Sequence, residues 1–143
     1  MQLGRGWRRD RRDRSERRAA FAAWALALLL LVTGTMHFVS PSGFESIVPG
    51  FLGSPAFWVA LSGVAELGCA LLLVVPRTRR VAGWACVVLF VVVYPANIKM
   101  AIDSVHGQGS ALIAWGRLPL QIPLVLLALY IARHATATRR SAA

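Results

Sequence analysis

The sequence predicts an all-α fold, a membrane-embedded four-helix bundle with up-down-up-down topology. Hydrophobic residues make up 57% of the 143-residue chain, and four apolar runs reach the ~20 residues that a helix needs to cross a bilayer. The net charge of +10 collects at the ends of these runs and does not spread over one surface. This distribution favours orientation in a lipid bilayer and contact with anionic headgroups, so we expect no nucleic-acid partner.

Residues 1–18 contain eight arginines against three acidic residues. Because this segment has almost nothing apolar to bury, we predict a disordered basic cytoplasmic tail. The first helix follows at 19–39, and no small-x-small cleavage site comes after it, which favours a transmembrane helix over a signal peptide. We expect one transmembrane domain over residues 19–134 and a second basic cytoplasmic tail over 135–143.

The second apolar run, at 55–75, carries a carboxylate near its middle. A charged group at that depth costs at least ~2.5 kcal/mol unless it is paired, wetted or protonated. Ser62, Glu66 and Cys69 follow helical spacing and share one small, polar face, which should therefore point into the bundle. The preceding segment, 40–54, has two prolines, three glycines and no Lys or Arg. It suits an interfacial segment that partly covers the mouth of the bundle.

A tight basic turn at 76–80 leads into the third helix, predicted at 81–102. Pro95 removes a backbone hydrogen bond there and should kink the helix just before Asn97, Lys99 and Asp103. After a glycine-containing loop at 106–110, the fourth helix is predicted at 111–133. Two prolines interrupt it, and Arg117 and Gln121 share one of its faces.

The distribution of basic residues predicts the orientation of the bundle. The N-terminal tail holds eight arginines, the 76–80 turn three and the segment from residue 133 onward three. Both termini should therefore be cytoplasmic in a multi-pass protein. Lys99 and Arg117 are left on the outer side, where each should have a local partner or a ligand.

With this topology, six polar side chains lie between the midplane and the outer face. We predict that they line an outward-facing ligand-binding pocket: His37, Glu66, Tyr94, Asn97, Arg117 and Gln121. Such a pocket suits a small polar or quinone-like headgroup. The alternative is that these residues only hold the helices together, through interhelical hydrogen bonds and an ion pair between Glu66 and Arg117.

Metal and haem sites are not expected, because the three histidines fall at different depths of the predicted bundle. Cys69 and Cys86 have similar depth in one helical hairpin, and the sequence leaves open whether they interact. We interpret them as small buried hydrophobes, since a thiol in apolar surroundings has little nucleophilicity.

Six short motifs occur in a characteristic order along the chain: GTMHF at 34–38, PGFL at 49–52, LSGVAE at 61–66, LVVPRTR at 73–79, YPANIKMA at 94–101 and RLPLQ at 117–121. Over residues 20–133 the chain resembles the DoxX family. The resemblance implies a four-helix bundle in the bacterial cytoplasmic membrane, with loose links to thiosulfate:quinone oxidoreductase subunits and to membrane partners of thiol-redox enzymes. The positions of His37, Glu66, Asn97, Arg117 and Gln121 match the family's polar pattern.

Three classes of function follow. The first is an accessory subunit of a quinone-linked or thiol-linked membrane redox system, with a membrane or peripheral redox protein as partner; any enzymatic activity would be that of an oxidoreductase subunit. No cofactor motif is evident, and quinone is the cofactor that this class suggests. The second is small-molecule binding or proton-coupled transport, for which four helices would need a homodimer. The third is a scaffold without chemistry. The sequence favours the first.

Overall fold

The computed structural model describes the backbone of residues 3–107 and 109–135, and the side chains of residues 13–107 and 109–135. This part of the chain contains five α-helices, one 3-10 helix and no strand. The α-helices are α1 (Leu3–Val39), α2 (Ser42–Glu45), α3 (Pro55–Val74), α4 (Arg79–Val105) and α5 (Ala111–His134), and the 3-10 helix is Gly50–Leu52. The all-α class and the four long helices are therefore confirmed. Each of the four is long and apolar enough to cross a membrane.

The N-terminal segment differs from the prediction. The sequence predicts disorder up to residue 18, whereas α1 begins at Leu3 and runs without interruption to Val39. An acid precedes an arginine by four residues at Asp10 and Asp13, a spacing that stabilises a helix, and extending an existing helix needs no new nucleus. The Tyr130 hydroxyl also donates to the Ser15 carbonyl at 3.5 Å. The second predicted tail lies, beyond Ala135, outside the described residues.

The four long helices form two closely packed pairs, α1 with α3 and α4 with α5. Less extensive contacts between α3 and α4 and between α1 and α5 join the pairs. Gly34 lies beside Glu66 and Gly63 beside His37, so α1 and α3 run in opposite directions. In the other pair Gly83 lies against Ala132, while residues further along α4 contact residues earlier on α5. The contacts between the two pairs are thus less extensive than the contacts within each pair.

Small residues let the helix backbones approach each other. A Cβ atom at Gly83 would come within 2.6 Å of the Ala132 backbone nitrogen, so only glycine fits there. Alanines fill much of the remaining interior. They are Ala19, Ala22, Ala23, Ala27, Ala70, Ala82, Ala101, Ala114, Ala128 and Ala132. Where burial of apolar side chains does not by itself favour helix association, helices associate through close contact between small residues.

Large apolar side chains also cover the outside of the bundle. Phe21 is 79% exposed and Leu71 70%. Similar side chains occur on every long helix: Leu28, Val64, Val88, Val92, Leu112, Ile122 and Leu126. So many exposed large apolar side chains are unusual on a protein surrounded by water and are typical of an interaction surface.

The two ends of the bundle are closed differently. At the end with the turn between α3 and α4, called the proximal end here, Arg79 donates through Nε to the Leu73 carbonyl at 2.9 Å and caps α3. At the opposite, distal end, residues 40–54 pack on the helices. Trp58 donates to the Leu52 carbonyl at 2.8 Å. Lys99 bonds the Ser46 carbonyl at 2.9 Å as well as the Asp103 carboxylate.

Lys99 and Pro95 lie on α4, and Pro119 and Pro123 lie on α5. The expectation that Lys99 needs a local partner is confirmed, because Asp103 lies one turn further along α4. Pro95 lies inside α4, which continues through it as a single helix to Val105. Pro119 and Pro123 lie within α5 in the same way.

Candidate functional site: two polar clusters

The six predicted site residues do not meet in one place. His37 and Glu66 lie in the α1–α3 pair, whereas Tyr94, Asn97 and Gln121 lie in the α4–α5 pair. We call the first group, with Thr33 and Ser62, the carboxyl cluster. The second group, with the Phe90 carbonyl, is called the amide cluster. Arg117 belongs to neither.

Glu66 is the centre of the carboxyl cluster. Its side chain is buried, and Oε2 accepts a hydrogen bond of 2.5 Å from the Thr33 hydroxyl across the helix interface. Ser62, one turn earlier on α3, also interacts with the carboxyl group. Gly34 and Gly63 hold α1 and α3 close enough for these contacts, since a Cβ atom at either position would press on the facing side chains. The predicted small, polar face of α3 is therefore turned inward.

His37 completes this cluster. Its Nδ1 lies 2.8 Å from the Thr33 backbone carbonyl, one turn earlier on α1. A carbonyl can only accept, so Nδ1 carries a proton and Nε2 faces Oε1 of Glu66 at 3.8 Å. One further proton, on either Nε2 or Oε1, makes this contact attractive. The Phe44 ring stacks on the imidazole with centroids 4.0 Å apart, so the distal segment covers the cluster.

The amide cluster secures the backbone near Pro95. Asn97 donates through Nδ2 to Oε1 of Gln121 at 3.1 Å, and Gln121 donates through Nε2 to the Phe90 carbonyl. Pro95 has no N–H, so the carbonyl four residues earlier, that of Val91, loses its helical donor. The Phe90 carbonyl lies next to that site, and the buried Gln121 amide holds the helix together there.

A groove of about 350 Å³ adjoins the amide cluster. Its walls are mostly apolar, and it opens at the outer surface of the α4–α5 pair. The lining residues are Phe90, Val91, Tyr94, Gln121, Ile122, Val125 and Leu126. Tyr94 is 37% exposed, and its hydroxyl has no hydrogen-bond partner among the described residues. The groove thus combines an apolar wall with two polar groups at one position.

Arg117 does not form the ion pair with Glu66 that one interpretation of the sequence predicts. Its Nη1 lies 3.7 Å from the Met100 sulfur, and among the described side chains no ion pair joins it to Glu66, whose ionisable neighbour is His37. The guanidinium still attracts Glu66 through space. Arg117 is half-buried, and no carboxylate of the described residues forms an ion pair with its guanidinium.

Sequence reasoning missed the role of Thr33 and Phe44. Thr33 lies one turn before His37 on the same helix, and that spacing was the available signal that its hydroxyl shares the face of the imidazole. No pattern in residues 40–54 identifies Phe44 as the residue that covers His37, because the contact depends on how the distal segment folds back.

Two further observations concern ligands. Within the described residues, no group of three or more His, Cys, Asp or Glu side chains has the geometry of a metal site. Cys69 and Cys86 are both buried and both free thiols. Cys69 on α3 and Cys86 on α4 both belong to the buried apolar core.

Comparison with known proteins identifies the family of the chain but no function. No curated protein and no solved structure matches the chain significantly. A family model matches residues 26–132, a range that includes α3, α4, parts of α1 and α5, and both polar clusters. The chain therefore belongs to the family described as a domain of unknown function (DUF8561).

Proposed function

We propose that the chain is a DoxX-like multi-pass membrane protein that binds a quinone and serves as an accessory subunit of a membrane redox system. The observation that carries the proposal is the groove of the α4–α5 pair, which presents Tyr94 and Gln121 within an apolar wall. The six motifs that resemble the DoxX family support the redox assignment, and a membrane or peripheral redox protein would be its partner.

The groove suits the chemistry of a quinone headgroup. A quinone is a flat ring with two carbonyl oxygens, which only accept hydrogen bonds. The Tyr94 hydroxyl has no partner among the described residues, and Gln121 uses only one of its two N–H groups on the Phe90 carbonyl. The volume of about 350 Å³ lies within the range of small-molecule sites, and a lateral opening leaves room for an apolar tail.

Membrane embedding is part of the proposal. Four long apolar helices and the many large apolar side chains exposed on them support it, because a bilayer is the solvent in which such a surface is stable. We propose that the helices alternate in direction across the bacterial cytoplasmic membrane, with both termini cytoplasmic. The arginine-rich proximal end supports this orientation.

The orientation can be tested with reporter fusions. A reporter within the 76–80 turn should read cytoplasmic, and one near Gly107 should read external. The opposite result at both positions would invert the bundle, and the same result at both would exclude four crossings.

Quinone binding can be tested with the purified protein in lipid nanodiscs. Decylubiquinone should quench tryptophan fluorescence saturably. Tyr94→Phe should weaken binding about fivefold, since it removes one hydrogen bond worth about 1 kcal/mol. Tyr130→Phe is the matched control, because Tyr130 contacts Ser15 at the proximal end and should leave the affinity unchanged. Equal affinity of the wild type and both variants, or no saturable quenching, would refute the groove as a quinone site.

The carboxyl cluster supports a second candidate, proton-coupled binding or transport. The specific observation is that His37 Nε2 and Glu66 Oε1 lie 3.8 Å apart, so two groups that can each bind a proton face each other between α1 and α3. If this function holds, vesicles containing the protein should take up protons in response to an imposed gradient, and Glu66→Gln should abolish the uptake. Uptake that is unchanged in Glu66→Gln would exclude it.

A further inference from the structure

We propose that a second groove, at the distal end of α4, binds a zwitterionic phospholipid whose headgroup carries a primary ammonium. The lipid phosphate would bind Lys99, and the lipid ammonium would bind Asp103. The inference rests on the membrane embedding in the proposed function and does not depend on quinone binding. The site includes no residue of the two polar clusters.

The groove lies between the distal segment and one face of α4, and we call it the distal groove. Its volume is about 400 Å³, and its lining residues are Pro49, Gly50, Phe51, Pro95, Ile98, Lys99 and Ile102. Ile98 and Ile102 are four residues apart, so they share one face of the helix, and both are exposed. Lys99 is the only charged residue in the lining. The distal groove therefore suits an apolar chain that ends in an anionic group.

Hydrogen bonds hold the distal segment on both sides of the groove. Before residues 49–51, the Ser46 carbonyl accepts a bond of 2.9 Å from Lys99 Nζ. After them, the Leu52 carbonyl accepts a bond of 2.8 Å from the Trp58 indole nitrogen. The wall that faces α4 is thus fixed at two points, and the groove is a formed part of the fold.

An ion pair forms the polar edge of the distal groove. Asp103 lies one turn after Lys99, and its Oδ2 accepts a hydrogen bond from Lys99 Nζ. The side chains are partly exposed, 32% for Lys99 and 25% for Asp103. Of the three N–H groups of the ammonium, two are used on the Ser46 carbonyl and Asp103. One donor therefore remains on Lys99, and Oδ1 of Asp103 has no hydrogen-bond partner among the described residues.

The order of the charges along α4 matches their order in the lipid. In an ethanolamine phospholipid the acyl chains lead to the phosphate, and a two-carbon linker leads from the phosphate to the ammonium. Lys99 lies beside the apolar lining, and Asp103 follows about 6 Å further along the helix axis toward the distal end. A phosphate that accepts from Lys99 therefore leaves the ammonium beside the free oxygen of Asp103.

The ion pair discriminates against other headgroups. Because Lys99 and Asp103 together carry no net charge, they give an anionic headgroup no net attraction. A choline headgroup is zwitterionic, but its quaternary ammonium has no N–H group to donate. Ethanolamine supplies both an acceptor for Lys99 and N–H donors for Asp103, and hydrogen bonds between charged groups are stronger than neutral ones.

The experiment is a lipid titration of the delipidated full chain in mild detergent, with bound lipid measured by native mass spectrometry. Phosphatidylethanolamine, phosphatidylcholine and phosphatidylglycerol with identical acyl chains are compared. We expect phosphatidylethanolamine to bind about fivefold more tightly than either of the others. Asp103→Asn should reverse the preference in favour of phosphatidylglycerol, because the Lys99 charge is then uncompensated. Ile98→Trp should weaken binding of all three lipids, because the indole fills the groove.

Each variant has a matched control. Glu45→Gln neutralises an acid of the distal segment that does not line the groove and should keep the preference for ethanolamine. Val64→Trp enlarges an exposed side chain of α3 outside the groove and should leave all three affinities unchanged. Equal affinity of the wild type for the three lipids would overturn the inference. A preference for ethanolamine that survives Asp103→Asn would overturn it as well.

Failure of this inference can be distinguished from failure of the proposed function. If phosphatidylethanolamine shows no preferential binding while decylubiquinone still quenches tryptophan fluorescence saturably, only the inference is overturned. If the reporter fusions exclude four crossings, the proposed membrane embedding fails and the inference fails with it.

Discussion

The two helix pairs each bury a polar cluster, but the clusters differ in what they leave available. In the α1–α3 pair, the groups of Thr33, His37 and Glu66 are occupied by one another, and Phe44 covers them. In the α4–α5 pair the buried Gln121 amide holds the backbone, while the Tyr94 hydroxyl faces an open groove. A covered cluster whose groups engage one another leaves little for a ligand to bind, whereas an open groove with a hydroxyl in its wall can receive one.

The largest effect is expected where the α4–α5 pair is tightest. Gly83→Ala would place a Cβ atom 2.6 Å from the Ala132 backbone nitrogen, and backbone cannot move aside as a side chain can. The loss of stability should reach about 3 kcal/mol. It can be measured by reversible unfolding in mixed micelles. Gly68→Ala is the control, because nothing lies within 4 Å of its Cβ position, and a stability equal to or above that of the wild type is expected.

The α1–α3 pair should tolerate the corresponding change better. A Cβ atom at Gly63 would meet the Phe38 ring at 2.7 Å and the His37 Cβ at 2.9 Å, and the exposed Phe38 ring can turn away. Gly63→Ala should therefore cost about 1 to 2 kcal/mol in the same unfolding assay. A loss larger than that of Gly83→Ala would show that the α1–α3 pair is the more tightly constrained of the two.

The carboxyl cluster can be opened by one substitution. Thr33→Val keeps the shape of the side chain but removes the hydroxyl that donates to Glu66. The buried carboxyl then loses its hydrogen bond from α1, which should cost about 1 to 2 kcal/mol of unfolding free energy. Thr35→Val is the matched control, because the Thr35 hydroxyl bonds only the Leu31 carbonyl of its own helix. Equal losses in both variants would mean that Glu66 does not depend on Thr33.

Much of this architecture could be predicted from the sequence. Apolar run lengths gave the long helices, and the spacing of Ser62, Glu66 and Cys69 identified the buried face of α3. Helical spacing cannot tell which helices pair most closely. That pairing depends on glycine and alanine contacts such as the one between Gly83 and Ala132, and it is what separates Glu66 from Gln121.

The N-terminal part of α1 and the surroundings of Arg117 are two further features that the sequence did not predict. Composition alone favours disorder in residues 3–18, but their continuity with an apolar helix extends α1 to Leu3. The similar predicted depth of Glu66 and Arg117 favours an ion pair between them. In the structure Glu66 faces His37 instead, and Arg117 lies beside Met100.

The smallest effect is expected at the distal surface. Lys99→Met removes the bonds to Asp103 and to the Ser46 carbonyl. Since Lys99 is partly exposed, the loss should stay below about 1 kcal/mol. Its consequence should be local: limited proteolysis within residues 40–54 should become faster while global unfolding barely changes. Unchanged proteolysis would mean that other contacts hold this segment.

The separation of the two clusters is tested most directly by a pair of double-mutant cycles on unfolding free energy. Thr33→Val and Glu66→Gln contact each other and should be non-additive by about 1 kcal/mol or more. Glu66→Gln and Gln121→Leu share no partner and should be additive within about 0.5 kcal/mol. Additivity in the second cycle and coupling in the first is the result that the two-cluster structure predicts. Coupling above about 1 kcal/mol between Glu66 and Gln121 would contradict it and would place both residues in one shared pocket.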